Sequence, residues 1–575
     1  MNPEMLYRRA LAAYGNGDLA GSERLCSEVL LREPGNIDAR YLLALSIFQQ
    51  GQTAAALAHI EIALAADPGD IRTMALHGAV LQTGGRFDEA LNVYETILAV
   101  APREVEVWSN RGGVLQSQGR FGEALESFDR ALAGQPDHAG ALYNRGNALR
   151  ALNRHQEALA SFDRAIALMP HYAEAHNNRA IVLQSLDRLD EALAGFNTAL
   201  VIAPTHVEAL YNRGLVLGDL NRPNEALTSF STAVAVKPDY AEAWNKCGVT
   251  LQGLKRFDEA LACYRRALSL QPGYPEALKN IALALCESGS TTEGFAVFAR
   301  HAELALGDAL MAAAKAGPSL PHKLRHDVEQ SAYLARETGE EVDVGGALHL
   351  VDGSRLVSAA ISPDLTGREI SAIWQTSKPQ IVVIDNILTE EALDKLRRFC
   401  LGSTVWRKVY EGGYLGALPE YGFACPLLAQ IADELRDAYP AIFAMHPMHY
   451  LWGFKYDSKM SGIALHADKA AVNVNLWITP DESNLNPERG GLVIWDVAAP
   501  HDWVFQRYNG DTEASRAFLR DNGAQSVTVP YRANRAVIFD SDLFHETDKI
   551  DFKDGYCDRR INITLLYGRR TSDNR

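Results

Sequence analysis

Residues 139–170 read AGALYNRGNALRALNRHQEALASFDRAIALMP, and variants of this stretch recur along the first half of the chain. Three features return together every 34 residues: a proline, the tripeptide Glu-Ala-Leu and a small residue. The prolines are Pro34, Pro68, Pro102, Pro136, Pro170, Pro204, Pro238 and Pro272. The small residues are Gly78, Gly112, Gly146, Ala180, Gly214, Gly248 and Ala282. Chance does not keep three features in one register, so the first half of the chain is an internal repeat.

The repeated unit resembles the tetratricopeptide repeat, in which two antiparallel helices meet at small residues and a proline ends the second helix. Eight units fit residues 3–274, and a weaker ninth fits residues 275–308, where Gly294 and Phe295 replace Ala-Leu. One helix pair cannot bury its apolar face alone. The resemblance therefore implies an all-α superhelix over residues 1–308, built of about eight to nine repeats, with a long concave surface.

One polar position recurs inside the array. The sixth slot of the unit holds asparagine at Asn110, Asn144, Asn178, Asn212 and Asn280, and Lys246 interrupts the series. An asparagine side chain carries a donor and an acceptor, so it can pair with the amide groups of any peptide. A similar ladder lines the superhelix of the tetratricopeptide O-linked N-acetylglucosamine transferases, which implies a peptide track here. The alternative is that duplication copied a tolerated helix-surface residue that binds nothing.

The period stops after about residue 308. Residues 309–378 are predicted to form a connecting or capping segment with a break at Gly317-Pro-Ser-Leu-Pro321, a helix over 322–338, and short strands and turns over 339–372. Helices are predicted from Thr389 and over 426–439, and strand-like runs lie at 379–385, 450–457, 463–467, 472–479, 491–496, 526–529, 535–539 and 561–567. Many short strands separated by turns predict a sandwich or barrel over residues 379–575.

Two histidines and an aspartate stand out in this last segment. In His466-Ala-Asp468, strand geometry would place both ligands on one face, and His545 follows a second apolar run. Two imidazoles and one carboxylate can occupy one face of an Fe(II) octahedron and leave positions open. A rival second histidine, His501, follows Ala-Ala-Pro in a loop context. The pattern predicts a metal site at His466, Asp468 and His545.

Residues 379–575 resemble the 2-oxoglutarate- and Fe(II)-dependent dioxygenases of the prolyl-hydroxylase-like group. The matching segments are Tyr456, His466-Ala-Asp468, Gly490-Gly-Leu-Val-Ile-Trp495, Phe539-Asp-Ser-Asp-Leu-Phe-His545 and Arg560-Ile-Asn-Ile-Thr564. The resemblance implies a mainly-β double-stranded β-helix (a jelly roll) with supporting helices. It also implies that the triad binds Fe(II), that Arg560 and Tyr456 hold the cosubstrate 2-oxoglutarate, and that O2 takes the remaining position.

The choice between Arg559 and Arg560 follows from strand parity. Asn562 and Thr564 alternate with apolar residues, so a polar face of the strand includes Arg560, and Arg559 would point the other way. In many relatives the cationic residue follows the second histidine sooner than it does here. The polar insertion 497–530 is interpreted either as a lid over the substrate or as a loop that extends into solvent.

Composition sets the cellular context. The chain has 575 residues, too many for one core, and a net charge of -16, which disfavours a nucleic-acid partner. No apolar run approaches membrane-spanning length, and charged residues interrupt the amino terminus before a signal sequence could form. Seven cysteines are dispersed without a CxxC pair, as expected of reduced thiols. A soluble, cytoplasmic protein is predicted.

The two resemblances together imply a hydroxylase that uses Fe(II), 2-oxoglutarate and O2, releases succinate and CO2, and acts on a protein or peptide recruited by the repeats. Proline is the first candidate for the oxidised side chain, on family analogy alone. One alternative is an oxygenase for a small or carrier-bound metabolite, whose repeats dock a partner protein. Another is a non-catalytic repeat scaffold with a decayed oxygenase domain. A nucleic-acid demethylase fits poorly with the acidic balance.

Overall fold

The structure is a computed structural model that describes residues 2–305, 320–339, 341–344, 348–363, 367–460 and 462–570. The predicted end of the array at residue 308 and the predicted break at Gly317 lie outside these ranges. The chain divides into two compact units, Met1–Pro238 and Asp239–Arg575. The boundary falls two repeats before residue 308, so the last two helix pairs share a unit with the strands.

The first unit is all-α and consists of consecutive antiparallel helix pairs. Its helices are α1 Pro3–Gly15, α2 Leu19–Arg32, α3 Ile37–Gln49, α4 Thr53–Ala66, α5 Ile71–Thr83, α6 Phe87–Val100, α7 Val105–Ser117, α8 Phe121–Gly134, α9 Ala139–Ala151, α10 His155–Leu168, α11 Ala173–Ser185, α12 Leu189–Ile202, α13 Val207–Asp219 and α14 Pro223–Val236.

The small residue of each repeat lies where the two helices of the pair approach most closely. At Gly146, an added Cβ would stand 2.6 Å from the ring of Phe162, which is fully buried on the second helix. Such a contact would force the helices apart, so the small residue leaves room for the aromatic ring to pack between the two helices. The turn between the helices has a left-handed residue, for example Gly119 or Asn153.

The second unit begins with two further helix pairs and continues with seven more helices among its described residues. The pairs are α15 Ala241–Gly253 with α16 Phe257–Leu270, and α17 Pro275–Glu287 with α18 Thr291–Ala305. The others are α19 Pro321–Thr338, α20 Gly367–Thr376, α21 Glu390–Gly402, α22 Pro426–Ala438, α23 Pro440–Phe443, α24 Phe505–Gly510 and α25 Thr512–Asp521.

All the paired strands of this unit are antiparallel. They are β1 Ile381–Asp385, β2 Trp406–Tyr410, β3 Tyr414–Ala417, β4 Met448–Tyr456, β5 Lys459–Met460, β6 Val472–Trp477, β7 Leu492–Ala498, β8 Ser526–Val529, β9 Arg535–Asp540, β10 Leu543–Thr547, β11 Ile550–Asp551 and β12 Ile561–Tyr567. The main sheet has the order β1-β9-β6-β12-β4-β3-β2, a second has the order β10-β7-β8, and β11 pairs with β5.

The main sheet separates two hydrophobic cores. On β6, Val472, Val474 and Leu476 face a core shared with α21 and α22. Trp477 faces the second core, which lies between the main sheet and the β10-β7-β8 sheet and includes Ile494 of β7. Because side chains alternate along a strand, the polar residues between the valines of β6 are turned toward the second core. This alternation determines which residues can reach the candidate site.

Two local predictions are wrong. Residues 463–467 form no strand, and only His466 makes a bridge, to His545. The segment predicted as short strands and turns over 339–372 includes the start of helix α20, Gly367–Thr376. The helices predicted at 322–338 and 426–439 are present as α19 and α22.

A buried carboxylate joins the last repeat to the main sheet. Glu287, at the end of α17, accepts hydrogen bonds from Nδ1 of His449 at 2.8 Å, Nη2 of Arg569 at 2.8 Å and Nε2 of Gln252 at 2.9 Å. Burial raises the cost of its charge, but His449, Arg569 and Gln252 lower the pKa of Glu287 to about 2. The last repeat therefore contacts the sheet through a fully satisfied ionic group.

Helix α18 adds an apolar contact to this junction. Its Phe295 and Phe298 belong to the same buried core as Leu427 and Leu428 of α22. Within the described ranges, no helix is both long and apolar enough to cross a membrane. The seven cysteines, all of them described, form no disulfide.

Replacing Glu287 with glutamine tests this junction. The folded-state pKa lies below the ordinary value of 4.5, so the carboxylate stabilises the fold above about pH 4.5, and that contribution is lost toward about pH 2. We expect Glu287→Gln to lower the free energy of unfolding by roughly 2–3 kcal/mol at pH 7, a difference that shrinks below pH 4.5. Urea unfolding measured at several pH values gives the result.

The matched control is Glu293→Gln, at an exposed glutamate in the first turn of α18 that makes no ion pair with any described residue. It should change the free energy of unfolding by no more than about 0.5 kcal/mol across the same pH range. An equal loss of stability at pH 7 and pH 3 for Glu287→Gln would contradict the assignment.

Candidate metal centre

The structure brings His466, Asp468 and His545 together. One potential ligand atom from each lies within 4.8 Å of the others. His466 and His545 form an antiparallel bridge in which each backbone N–H donates to the carbonyl of the other, at 3.0 and 2.8 Å. The two rings stand side by side with centroids 4.3 Å apart. The backbone pairing thus holds two imidazoles from distant parts of the chain next to one carboxylate.

Backbone carbonyls orient both rings. Nδ1 of His466 donates to the carbonyl of Ala464 at 2.8 Å, and Nδ1 of His545 donates to the carbonyl of Leu543 at 3.0 Å. With the proton on Nδ1, each ring turns an Nε2 lone pair toward Asp468, whose carboxylate oxygens lie 3.7 and 3.4 Å away. Carbonyl partners that fix the tautomer in this way are usual for metal-bound histidines.

The electrostatics suit a cation between these groups. Burial and the neighbouring His545 ring lower the pKa of His466 to about 4. Burial opposes the ionisation of Asp468, but the nearby imidazoles and the amide of Asn473 hold its pKa below the usual value. Two imidazole nitrogens and a carboxylate therefore face one another in a buried place. Such acceptors repel one another unless a positive charge lies between them, so the residues fit a divalent metal.

A row of buried amides supports Asp468, and it was not predicted as part of the site. Nδ2 of Asn473 donates to Oδ2 of Asp468 at 2.5 Å, and Asn475 donates to Asn473 at 2.7 Å. Asn562 on β12 continues the row by donating to Asn475 at 2.8 Å. The row links the aspartate to two alternate positions of β6 and to the neighbouring strand β12 in the middle of the main sheet. Buried asparagines at alternate positions of an apolar strand are the signal that could have revealed it.

Arg560 and Tyr456 lie together in the second core. The guanidinium of Arg560 stacks over the Tyr456 ring at 4.7 Å, and its Nε donates to the carbonyl of Gly490 at 2.7 Å. Both side chains are fully buried, yet Nη1 of Arg560 and the hydroxyl of Tyr456 have no hydrogen-bond partner of normal geometry among the described residues. Buried donors of this kind are costly when unpaired. An anionic oxygen would satisfy both.

Arg559 faces the opposite side of the strand. It is buried and pairs with Glu329 of α19 at 2.6 Å, and Asp457 lies 3.9 Å away. The side chains of the two adjacent arginines therefore point to opposite faces of the sheet, as expected from the alternation along a strand. Only Arg560 reaches the core that contains Tyr456.

A cavity of about 560 Å³ opens above His466 and Asp468 and is defined here as the metal pocket. One wall is aromatic: Tyr410 stacks on Tyr414 with centroids 4.6 Å apart, and Phe454 meets both rings edge-on. Such a surface suits an extended apolar or proline-containing segment as well as a flat small molecule.

The insertion 497–530 forms the opposite wall. It contains α24, α25 and β8, and Phe505 and Asn509 line the metal pocket. Nδ2 of Asn509 donates to the carbonyl of Ala467 at 2.9 Å, between the two ligands of the His466-Ala-Asp468 motif. The insertion therefore covers the pocket and contacts the ligand loop, which favours the lid interpretation.

The asparagines of the repeats are half-buried. Asn178 already donates to Tyr143 and to Asn147, at 3.0 and 2.8 Å. Asn212 donates to Asn177 at 3.3 Å, and Asn280 donates to Asn245 at 3.0 Å. Parts of the predicted ladder thus link neighbouring repeats through side-chain amides. The remaining members, Asn110 and Asn144, lie on α7 and α9.

Comparison with known families identifies the repeats. Residues 7–71, 76–139, 114–173 and 143–207 match one tetratricopeptide repeat family, residues 207–240 match a second and residues 241–274 a third. Residues 7–274 therefore carry tetratricopeptide repeats, a scaffold for protein interaction, as the 34-residue period predicts. No curated protein matches the chain.

Several solved repeat proteins are similar to part of the chain. The crystal structure of MamA is 27% identical with a TM-score of 0.27, and the match covers 29% of this chain and 96% of that one. A tetratricopeptide repeat protein from Parabacteroides merdae ATCC 43184 is 19% identical with a TM-score of 0.36, covering 43% and 98%. YrrB, described as a TPR protein with an unusual peptide-binding site, is 24% identical with a TM-score of 0.28, covering 32% and 95%.

Proposed function

We propose that this protein is an Fe(II)- and 2-oxoglutarate-dependent dioxygenase that hydroxylates a protein or peptide recruited by its repeats. The observation that carries the proposal is the convergence of His466, Asp468 and His545 within 4.8 Å, with both Nδ1 atoms held by backbone carbonyls. Fe(II) is the metal that suits a two-histidine, one-carboxylate set with open positions.

The surrounding residues support the cosubstrate. Nη1 of Arg560 and the hydroxyl of Tyr456 are buried donors without normal partners, and together they would hold the distal carboxylate of 2-oxoglutarate. Asn473 would keep Asp468 ionised and correctly turned. The fold proposed for this region is a double-stranded β-helix, supported by two antiparallel sheets that pack across one core.

Bound iron and 2-oxoglutarate would supply the chemistry: one oxygen atom of O2 enters succinate as CO2 leaves, and the other converts a C–H group to C–OH. The protein's own contribution is to position and to exclude water. His466 and His545 offer their Nε2 atoms, and the insertion 497–530 lines the pocket. Ferrous iron and dispersed cysteines both suit a reducing compartment, so the cytoplasm is the proposed location.

Replacing His466 tests the metal assignment. Wild-type protein, loaded anaerobically with Fe(II) and 2-oxoglutarate, should bind about one iron per chain and form succinate on exposure to oxygen. His466→Ala should lose both, because one of three ligands is gone. The control is His501→Ala, whose side chain is 62% exposed. Unchanged iron binding in His466→Ala, or no binding in the wild type, would refute the proposal.

Replacing Arg560 tests the cosubstrate site. Arg560→Gln removes a charged donor, so the KM for 2-oxoglutarate should rise by about 10- to 100-fold while the affinity for Fe(II) stays the same. Tyr456→Phe should give a smaller rise. Arg532→Gln, at an arginine whose side chain is 51% exposed, serves as the control. A KM within about twofold of the wild type for Arg560→Gln would exclude this role.

Deleting residues 1–238 distinguishes a polypeptide substrate from a small or carrier-bound metabolite. The cut falls between the two compact units and keeps α15–α18 with the strands. If the array recruits a polypeptide, residues 239–575 should retain iron binding and uncoupled succinate formation but lose most oxygenation of lysate polypeptides, measured by mass. Undiminished oxygenation would favour the metabolite. A circular-dichroism melt first establishes that the shortened chain is folded.

A further inference from the structure

A second cavity lies in the same compact unit as the metal pocket and has no role in the proposed chemistry. Its volume is about 570 Å³, within the range of ligand sites. It is defined here as the junction cavity because the last repeats form one side and the strand region forms the other. Gln252, Gly253 and Glu287 contribute from α15 and α17, and Met445 and Arg569 contribute from the strand region.

The junction cavity and the metal pocket share a wall. His449 lines both, and the chain runs directly from one to the other: Asp468 and Lys469 line the metal pocket, and Ala470 and Ala471 line the junction cavity. Nδ1 of His449 donates a hydrogen bond to the carboxylate of Glu287, which fixes the shared wall to the last repeat. A ligand chain that enters the junction cavity would therefore lie within a few residues' length of the metal ligands.

The lining suits a main chain better than a compact charged ligand. Gly253, Ala470 and Ala471 are small residues that let a backbone approach closely. The charges of Glu287 and Arg569 already satisfy each other. The carboxylate of Asp540 also lines the cavity and, within the described part of the chain, accepts only from the backbone N–H of Asp542, so it can still accept from a ligand N–H.

We propose that the junction cavity is a second subsite for the polypeptide substrate and receives the segment that flanks the residue presented to His466, Asp468 and His545. The inference rests on the proposed function and makes it more specific: the last two repeats form part of the substrate site. An extended polypeptide lies along Gly253 and Met445, runs past His449, which lines both cavities, and enters the metal pocket beside the insertion 497–530.

Photocrosslinking with a cavity-blocking variant tests this route. The photoreactive residue p-benzoylphenylalanine replaces Met445, which is 85% exposed, in the full-length chain. The probe is a biotinylated random peptide library of about ten residues, long enough to span ~30 Å when extended. We expect peptide adducts at this position, read by mass spectrometry. A second chain with the same photoreactive residue at Phe505, in the metal pocket, should capture peptides of the same sequence classes.

Gly253→Trp, introduced into the Met445 photoprobe chain, should block the cavity. An added Cβ at Gly253 meets no atom within 4 Å, so a side chain can be attached there without a clash at Cβ. Adduct yield should fall by ~10-fold or more. The matched control is Gly122→Trp on α8, where an added Cβ also meets no atom within 4 Å and which lies in the other compact unit. It should leave the yield unchanged.

The outcomes separate this inference from the proposed function. Absence of adducts at position 445, or an equal yield with Gly253→Trp, would overturn the second subsite even if iron binding and succinate formation are intact. If the wild-type chain forms adducts at position 445 but shows no iron-dependent succinate formation, the peptide subsite stands and the dioxygenase proposal is refuted. Adducts at position 505 alone would confine the peptide to the metal pocket.

Discussion

The backbone pairing between His466 and His545 is the interaction on which the candidate site depends. Each residue gives the other one hydrogen bond, which forces two imidazoles from distant parts of the chain to stand side by side. Asn473 of the main sheet then donates a hydrogen bond to the carboxylate of Asp468 and fixes the position of this third candidate ligand. These hydrogen bonds hold the two imidazoles and the carboxylate close together and leave them little freedom to move apart.

Much of this arrangement follows from periodicity in the sequence. The 34-residue period predicts the helix pairs, and the close approach of Gly146 to Phe162 explains why one position in each repeat must be small. A period of two along β12 assigns Arg560 and Arg559 to opposite faces, as observed. Patterns of this kind are readable because each depends only on residues within one element.

Other features depend on which elements meet, and no local pattern encodes that. Residues 463–467 have the composition of a strand but hydrogen-bond to β10 only through Ile463 and His466, so a single bridge forms. Glu287 looks like an ordinary repeat residue, yet it meets His449 and Arg569, which lie far along the chain. Asn473 lies within the predicted strand 472–479, but its role appears only once the carboxylate of Asp468 is placed beside it.

The position of the unit boundary has a consequence for how such a chain can change in length. Helices α17 and α18 share a core with the strand region, and Gln252 of α15 joins the buried ionic group at Glu287, whereas the repeats before Asp239 form a unit of their own. Duplication or loss of a whole repeat is therefore tolerable upstream, where each pair contacts only its neighbours. The last repeat cannot be lost or replaced in the same way, because its packing depends on the strand region, and recombination that exchanges arrays between proteins would have to break the chain before Asp239.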